Sequence, residues 1–416
     1  MRNHTNLLTA VIALTLVAAF SLLCGSPALA KNAAKPHHSA LKYSGNMRAY
    51  YFTRSFKKGT DQSAFSLGGN FHVEDDVFSN VGAALTYGTA NPLGFNNANP
   101  KFVDSGLPGT TLNVLEELYG QYHTDFVSLR IGRQILRTPW ANPSDSRMIP
   151  NAFQGVGLSA KNGDGWSLAA YRMVRFKQRV GATFDNVDLL SSKPTAGMLA
   201  VGVLYSDPQR AFQAWHYDFY GTASLEYVEA TQRFGLREKY RPFLSGQYIA
   251  ENGITTRLPA NVDGHGYGLA TGVTADQGDV TIAYNDVPAK SHAFDNGSFA
   301  SPYTYTDNDP LFTTLTGTGL VDKGAGHAYK LAGTVWSYHN RIRAFAGRGE
   351  YYIYAAGKTA ATHVLDTNLD VTYYLGNGKR ADAFHGLLLR DRWIDVETQK
   401  SPFTFINNRA QIEYDF

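Results

Sequence analysis

Apolar and polar residues alternate along most of the chain beyond residue 41, in stretches separated by turn-forming residues, and the alternation has the period of a β-strand. Asn408–Phe416 shows it most cleanly. Ala410, Ile412, Tyr414 and Phe416 share one face, and Arg409, Gln411, Glu413 and Asp415 share the other. The same pattern predicts strands near 42–54, 63–74, 79–89, 112–123, 126–136, 153–160, 166–175, 198–206, 211–219, 222–233, 241–250, 264–274, 279–285, 326–337, 341–354, 362–375, 383–395 and 405–416. His123-Thr124-Asp125, Asn162-Gly163-Asp164-Gly165, Asp207-Pro208, Asp276-Gln277-Gly278-Asp279 and Asn377-Gly378 read as tight turns between them. Longer loops fall at 90–110, at 138–152, at 176–197 and at 286–325. Short turns therefore roughly alternate with long loops around an even number of strands. No helical hydrophobic period runs far enough to suggest a second domain.

Alternation alone also suits a soluble sheet, and the two ends of the chain decide between the readings. Residues 1–30 read as a cleaved signal peptide: Arg2, an apolar run from Leu7 to Leu23, then Pro27-Ala28-Leu29-Ala30 with small residues before the cut. Cys24 lies inside this leader behind Leu23, which is too large for a lipid-attachment site, so the mature chain has no thiol chemistry. A chain that ends on Phe416 at the close of an alternating strand, after an export signal, has the pattern of a bacterial outer-membrane barrel. Residues 31–416 are then one barrel domain, opening with a short lead-in at 31–40. The 40 Gly, 25 Tyr and 24 Phe suit tight turns and aromatic girdles. The net charge of +3 is too small to suggest a nucleic-acid partner.

At 132–155 the sequence becomes recognisable. Gly132-Arg133-Gln134, then Pro139, then Asp145-Ser146-Arg147-Met148-Ile149-Pro150-Asn151-Ala152-Phe153-Gln154-Gly155 resembles the OprD family of substrate-specific outer-membrane porins. Met47–Arg54 looks like that family's opening strand, and Gly386–Arg392, Asn408-Arg409 and the final Tyr-x-Phe look like its closing pair. The resemblance is specific at the third loop and loosest over roughly 180–380. It implies an all-β, transmembrane antiparallel barrel of about 18 strands with the third external loop folded into the pore. It also implies passive, selective uptake of small carboxylate-bearing solutes, by a monomer or loose trimer. Such a protein takes the lipid bilayer and lipopolysaccharide as surroundings, the barrel-assembly machinery as a partner in biogenesis and small anionic or zwitterionic solutes as cargo. No cofactor and no metal site are expected.

Alternation sorts the charges without help from the family. Arg409 is out of phase with Ile412 and Phe416, so it is expected in the lumen. Arg390 and Arg392 oppose Leu387, Leu389 and Trp393; Arg348 and Glu350 oppose Phe345, Tyr351 and Ile353; Arg48 and Arg130 also lie on polar faces. Guanidinium groups stay charged and grip a carboxylate with two parallel hydrogen bonds, so a row of them can pass an anion from site to site. The blander alternative is that they pair with Glu350, Glu413 and Asp370 and merely hydrate the wall. Asp391 falls in the lipid-facing phase, which puts it near the rim, and Arg343 shares the phase of Phe345, which puts it at the membrane interface. In the third loop Arg133, Arg137, Asp145 and Arg147 are candidates to line a constriction, or else to hold the loop's own fold. In the seventh loop Asp307, Asn308 and Asp309 make a small acidic patch beside Tyr303 and Tyr305, suited to receive a solute's ammonium or to repel bare anions, or else it is a solvated loop tip. A general diffusion porin or structural barrel is the alternative to a selective one. An outer-membrane barrel enzyme needs a nucleophile with a base beside it, and no distinctive cluster of that kind stands out. His216 and Asp218 share a face, but two groups make neither a metal site nor a triad.

Overall fold

The computed structural model of the protein describes residues 41–144, 146–191, 193–358, 360–376, 385–399 and 404–416. The leader, the lead-in, Asp145, the Asn377-Gly378 turn and the expected start of the penultimate strand at 383 lie outside the described residues. Eighteen strands are found among them: β1 (Lys42–Phe56), β2 (Gln62–Phe78), β3 (Val81–Asn91), β4 (Leu112–His123), β5 (Val127–Gln134), β6 (Ala152–Lys161), β7 (Trp166–Lys177), β8 (Met198–Ser206) and β9 (Arg210–Phe219) make one half. The other half is β10 (Ala223–Arg233), β11 (Tyr240–Gly253), β12 (Val262–Ala275), β13 (Gly278–Val287), β14 (Ala325–Ser337), β15 (Ile342–Tyr354), β16 (Thr362–Tyr374), β17 (Leu387–Thr398) and β18 (Phe405–Asp415).

Every strand pairs antiparallel with its sequence neighbours, and β1 pairs with β18, so the sheet closes on itself. Met47 lies opposite Tyr414, and Tyr51 opposite Ala410. Closure pairs the backbone groups of the first and last strands, which lipid cannot hydrate. The two faces of β18 separate as the alternation requires: Ile412 is 53% exposed on the outer face, while Arg409 on the inner face is 4% exposed. No helix is long and apolar enough to cross a membrane among the described residues; the strands do so.

The lumen is not an open pipe. Loops 135–151 and 288–324, both on one end of the barrel, pack inside it, and Asp104 and Leu107 of loop 92–111 are buried beside the third loop. Trp140 of the third loop is fully buried, edge-on to Phe299 of the seventh, and its backbone N–H meets the inward Tyr217 hydroxyl at 3.3 Å. Leu315, Leu320 and Val321 of the seventh loop are buried, as are the inward Tyr351, Ile353, Ile394 and Val396 of the wall. This continuous apolar filling overturns one face assignment. In β15 the residues facing inward are Phe345, Gly347, Gly349, Tyr351 and Ile353, because they meet the seventh loop rather than lipid. Arg348 and Glu350 therefore point outward: Arg348 lies opposite exposed Leu331 and donates to the Thr367 hydroxyl at 3.2 Å, and Glu350 accepts from Tyr352 at 2.7 Å and contacts His363 at 2.7 Å. Arg343, with Phe345, faces the lumen instead of the interface, 3.9 Å from Asp370.

Wall side chains latch the seventh loop by satisfying its backbone. Asp366 accepts from Gly317 and Thr318 N–H, each at 2.9 Å, and Asn368 accepts from Thr316 N–H. Asn285 accepts from Thr313 N–H, Gln247 accepts from Phe312 N–H and donates to Pro310 O, and Tyr351 donates to Thr313 O at 2.6 Å. A Cβ on Gly317 would sit 2.6 Å from an Asp366 oxygen and 2.5 Å from Val396, so only glycine lets the loop approach this wall. Within the loop, Asp309 accepts from Leu311 N–H at 2.9 Å. Burial pushes its carboxyl up to about 7, against the lowering pull of the Thr314 hydroxyl and the Leu311 amide.

Two outcomes are expected. Asp366→Ala strands two buried N–H donors at about 1–3 kcal/mol each, so the seventh loop of the variant becomes protease-sensitive and single-channel conductance rises while the barrel stays folded. The Asp309 value lies above its unfolded value of 3.8, so the packed loop holds a proton between these values that the unpacked loop releases. Loop packing is thus favoured as pH falls through about 7 and weakened above it. Asp309→Asn mimics the protonated form, and current noise recorded from pH 5.5 to 8.5 should change less with pH than in the wild type.

Candidate functional site

Where the third loop crosses toward β1, its Arg147 is packed among the inward residues of several strands. The Arg48 guanidinium of β1 donates to Arg147 O at 3.0 Å and pairs with Glu413 of β18 at 3.0 Å. Phe52 of β1 is a shared platform: the Arg147 and Arg409 guanidinium carbons lie 5.4 and 5.1 Å from its ring centre. Arg409 also donates to Asn407 at 2.6 Å. On the far side Asp307 of the seventh loop meets Arg179 at 3.2 Å and Arg147 at 3.7 Å. Arg179, from loop 178–197, stacks over Tyr305 at 3.5 Å. Arg392 and Arg409 both lie within electrostatic reach of Asp307 and Arg147.

Arg147, Arg179, Arg392 and Arg409 thus gather around Asp307, with Arg48 beyond Arg147 and with Glu413 and Asp370 at the margins. The consequences are read on the loop residues. Burial, then Arg179, lowers Arg147 to about 10. Burial raises the Asp307 carboxyl, but Arg179, Arg147 and Arg409 outweigh it and hold the group below its ordinary value. Arg147 Nε and Arg409 Nη1 are buried with no hydrogen-bond partner among the described residues.

The remaining sequence candidates scatter. Arg390 is inward, but it is gripped by Asp370 through two bonds, one from Nε at 2.8 Å; Arg392 reaches the same carboxylate at 3.7 Å. Arg48 and Arg390 thus each have a carboxylate partner, Glu413 and Asp370. Arg130 is inward and lies 4.7 Å over the Tyr119 ring. Arg348 faces out, as described, and leaves the set. Arg133 does not join the third-loop cluster: it sits opposite the outward Leu118, donates to Leu115 O at 3.2 Å and covers Phe184 at 4.6 Å. Arg137 is exposed and lines a separate lumenal cavity. Asp145 lies outside the described residues. Asp307 and Asp309 do not form a solvated tip: Asp309 is buried and held by the loop's own hydrogen bonds, and Asp307, only 13% exposed at its side chain, is tied into ion pairs. Asp391 keeps the outward phase, lies opposite Ala410 and accepts from Asn408 at 3.0 Å. His216 faces outward with Asp218 and contacts Glu226 at 2.6 Å. Among the described residues no group of three or more His, Cys, Asp or Glu could hold a metal ion.

Sequence reasoning missed Arg179 and the Phe52 platform. Arg179 follows the last inward residues of β7 in a loop without alternation, and nothing local aims it at Asp307, 128 positions away. Phe52 carried a signal, an aromatic in the polar phase of β1 beside Tyr50.

Residues 124–313 match the profile described as outer membrane porin, OprD family. No curated protein matches the chain. Among solved structures, Acinetobacter baumannii OccAB2 superposes with a TM-score of 0.78 at 15% identity, covering 92% of this chain and 99% of that one. A BenF-like porin from Pseudomonas fluorescens Pf-5 gives 0.78 at 11% identity, covering 91% and 99%. Pseudomonas aeruginosa OpdK, solved with vanillate, gives 0.75 at 12% identity, covering 91% and 98%. At such identities these structures speak to the fold, a closed 18-stranded barrel, while the 124–313 match, which spans the third loop and most of the seventh, makes that segment similar to the outer membrane porins of the OprD family.

Proposed function

We propose that this porin passes small carboxylate-bearing solutes selectively, handing them along lumenal arginines past the contact between the third and seventh loops. The observation that carries the reading is the gathering of Arg48, Arg147, Arg179, Arg392 and Arg409 on β1, β17, β18 and two inward loops. Like charges a few ångströms apart repel by about 1 kcal/mol per pair even in water and by more where water is scarce. Asp307 offsets part of that repulsion, and a passing carboxylate offsets more. The unpartnered donors of Arg147 and Arg409 are suited to the same ion. Arg390, Arg392 and Arg343 around the single Asp370 extend the positive row along β15–β17. The filling of the lumen by loops supports a selective channel over a general diffusion porin, because a wide aqueous bore needs no latch. OpdK was solved with vanillate, itself a carboxylate, and this agrees with the substrate class proposed.

Arg409→Gln should shift the reversal potential under a salt gradient toward neutrality and weaken block by small carboxylates about tenfold, the equivalent of ~1.4 kcal/mol. Arg348→Gln, on the outer face, should leave both unchanged. Equal anion preference in wild type and Arg409→Gln would remove the arginines from the transport path.

A further inference from the structure

A second lumenal compartment lies across the barrel from the arginine cluster. It is a cavity of about 530 Å³ under the third and seventh loops, bounded by the inward faces of β9–β14. Three charged side chains line it: Arg137 from the third loop, Glu229 from β10 and Lys330 from β14. Phe243 and Phe312 give it apolar surface. Arg137 is exposed and enters no ion pair among the described residues. Glu229 is held in place by two bonds to the same oxygen, from Gln213 Nε2 at 3.1 Å and the Tyr227 hydroxyl at 2.5 Å, both to Oε2. Its other oxygen, Oε1, accepts no bond from a described residue. Lys330 donates to Thr314 O of the seventh loop at 3.4 Å.

We propose that this chamber is a binding station for a zwitterion bearing an apolar side chain, an α-amino acid in type. Arg137, with Lys330 beside it, takes the carboxylate; Glu229 Oε1 takes the ammonium; Phe243 and Phe312 take the side chain. A bare carboxylate gains only the first of these contacts, and a bare amine only the second. The chamber therefore discriminates by the second charge, where the arginine cluster discriminates only by the first. The proposal rests on the reading of the barrel as a selective carboxylate channel and names a class of cargo for it. Gln213 and Tyr227 are positioning residues in this arrangement, since they act through Glu229.

L-phenylalanine and 3-phenylpropionate differ only in the ammonium group and make a matched pair of probes. Each is added to wild-type channels in a planar bilayer, from the side of the short turns, and the dwell time of current block is read. L-phenylalanine should dwell longer than 3-phenylpropionate. Glu229→Gln keeps the acceptor for Gln213 and Tyr227 and should shorten the L-phenylalanine dwell about tenfold, a loss in the range of one charge-assisted bond. It should leave 3-phenylpropionate within about twofold. Arg137→Gln, an exposed loop position that should not disturb folding, should shorten both. Equal dwell for the two probes in wild type, or a Glu229→Gln effect that is absent or the same for both, overturns the chamber. The effect of Arg409→Gln on reversal potential is read in the same membranes, so the chamber can fail while the carboxylate channel stands.

Discussion

Backbone amides have no partner in hydrocarbon, and everything else in this molecule follows from that constraint. The strands must pair on both edges, so the first pairs with the last and the sheet becomes a wall with an inside. Once the wall is closed, each strand offers alternate side chains to two solvents. The outer solvent is lipid along the middle of every strand. The inner one differs from place to place, because loops occupy much of it.

Those loops obey the same rule. A loop folded into a lumen carries its own unpaired backbone groups, and they must be met there. The seventh loop is met by side chains of β11, β13, β15 and β16, whose carboxylate, amide and hydroxyl groups take the place of water. Its apolar residues then join the inward aromatics in one buried core. The inner face is thereby apolar along some strands, so simple alternation no longer tells lumen from lipid there. β15 is the clearest case, with Tyr351 and Ile353 inside and Arg348 and Glu350 outside.

The charged interior has a matching logic. Loops that narrow the lumen also remove water from the arginines they touch, which strengthens every interaction those arginines make. Asp307 and Asp370 each serve several guanidinium groups, so the balance stays positive. Across the barrel the chamber of Arg137, Glu229 and Lys330 has a mixed character, with one acid among two bases. Loops three and seven touch where Asn142 donates to Asn308 O at 2.9 Å.

Alternation and turn residues were enough to reveal the strand number and the antiparallel order, because both are local properties repeated along the chain. They also placed Arg48, Arg390, Arg392 and Arg409 on the inner face, since lipid is a uniform solvent along those strands and excludes their charges. The Asp-x-Arg-x-x-Pro signature of the third loop pointed to Arg147 through a family resemblance rather than through alternation. The tertiary structure alone decided the rest. Arg348 faces out because the seventh loop, whose Thr313 meets Tyr351 from 38 positions away, fills the space where the alternation implied water. Arg133 turns to the rim at a strand end, Arg179 arrives from a loop with no periodicity, and Asp307 is buried rather than solvated. Each of these depends on which solvent a face meets, and in this barrel the loops, not the strand sequence, supply that solvent.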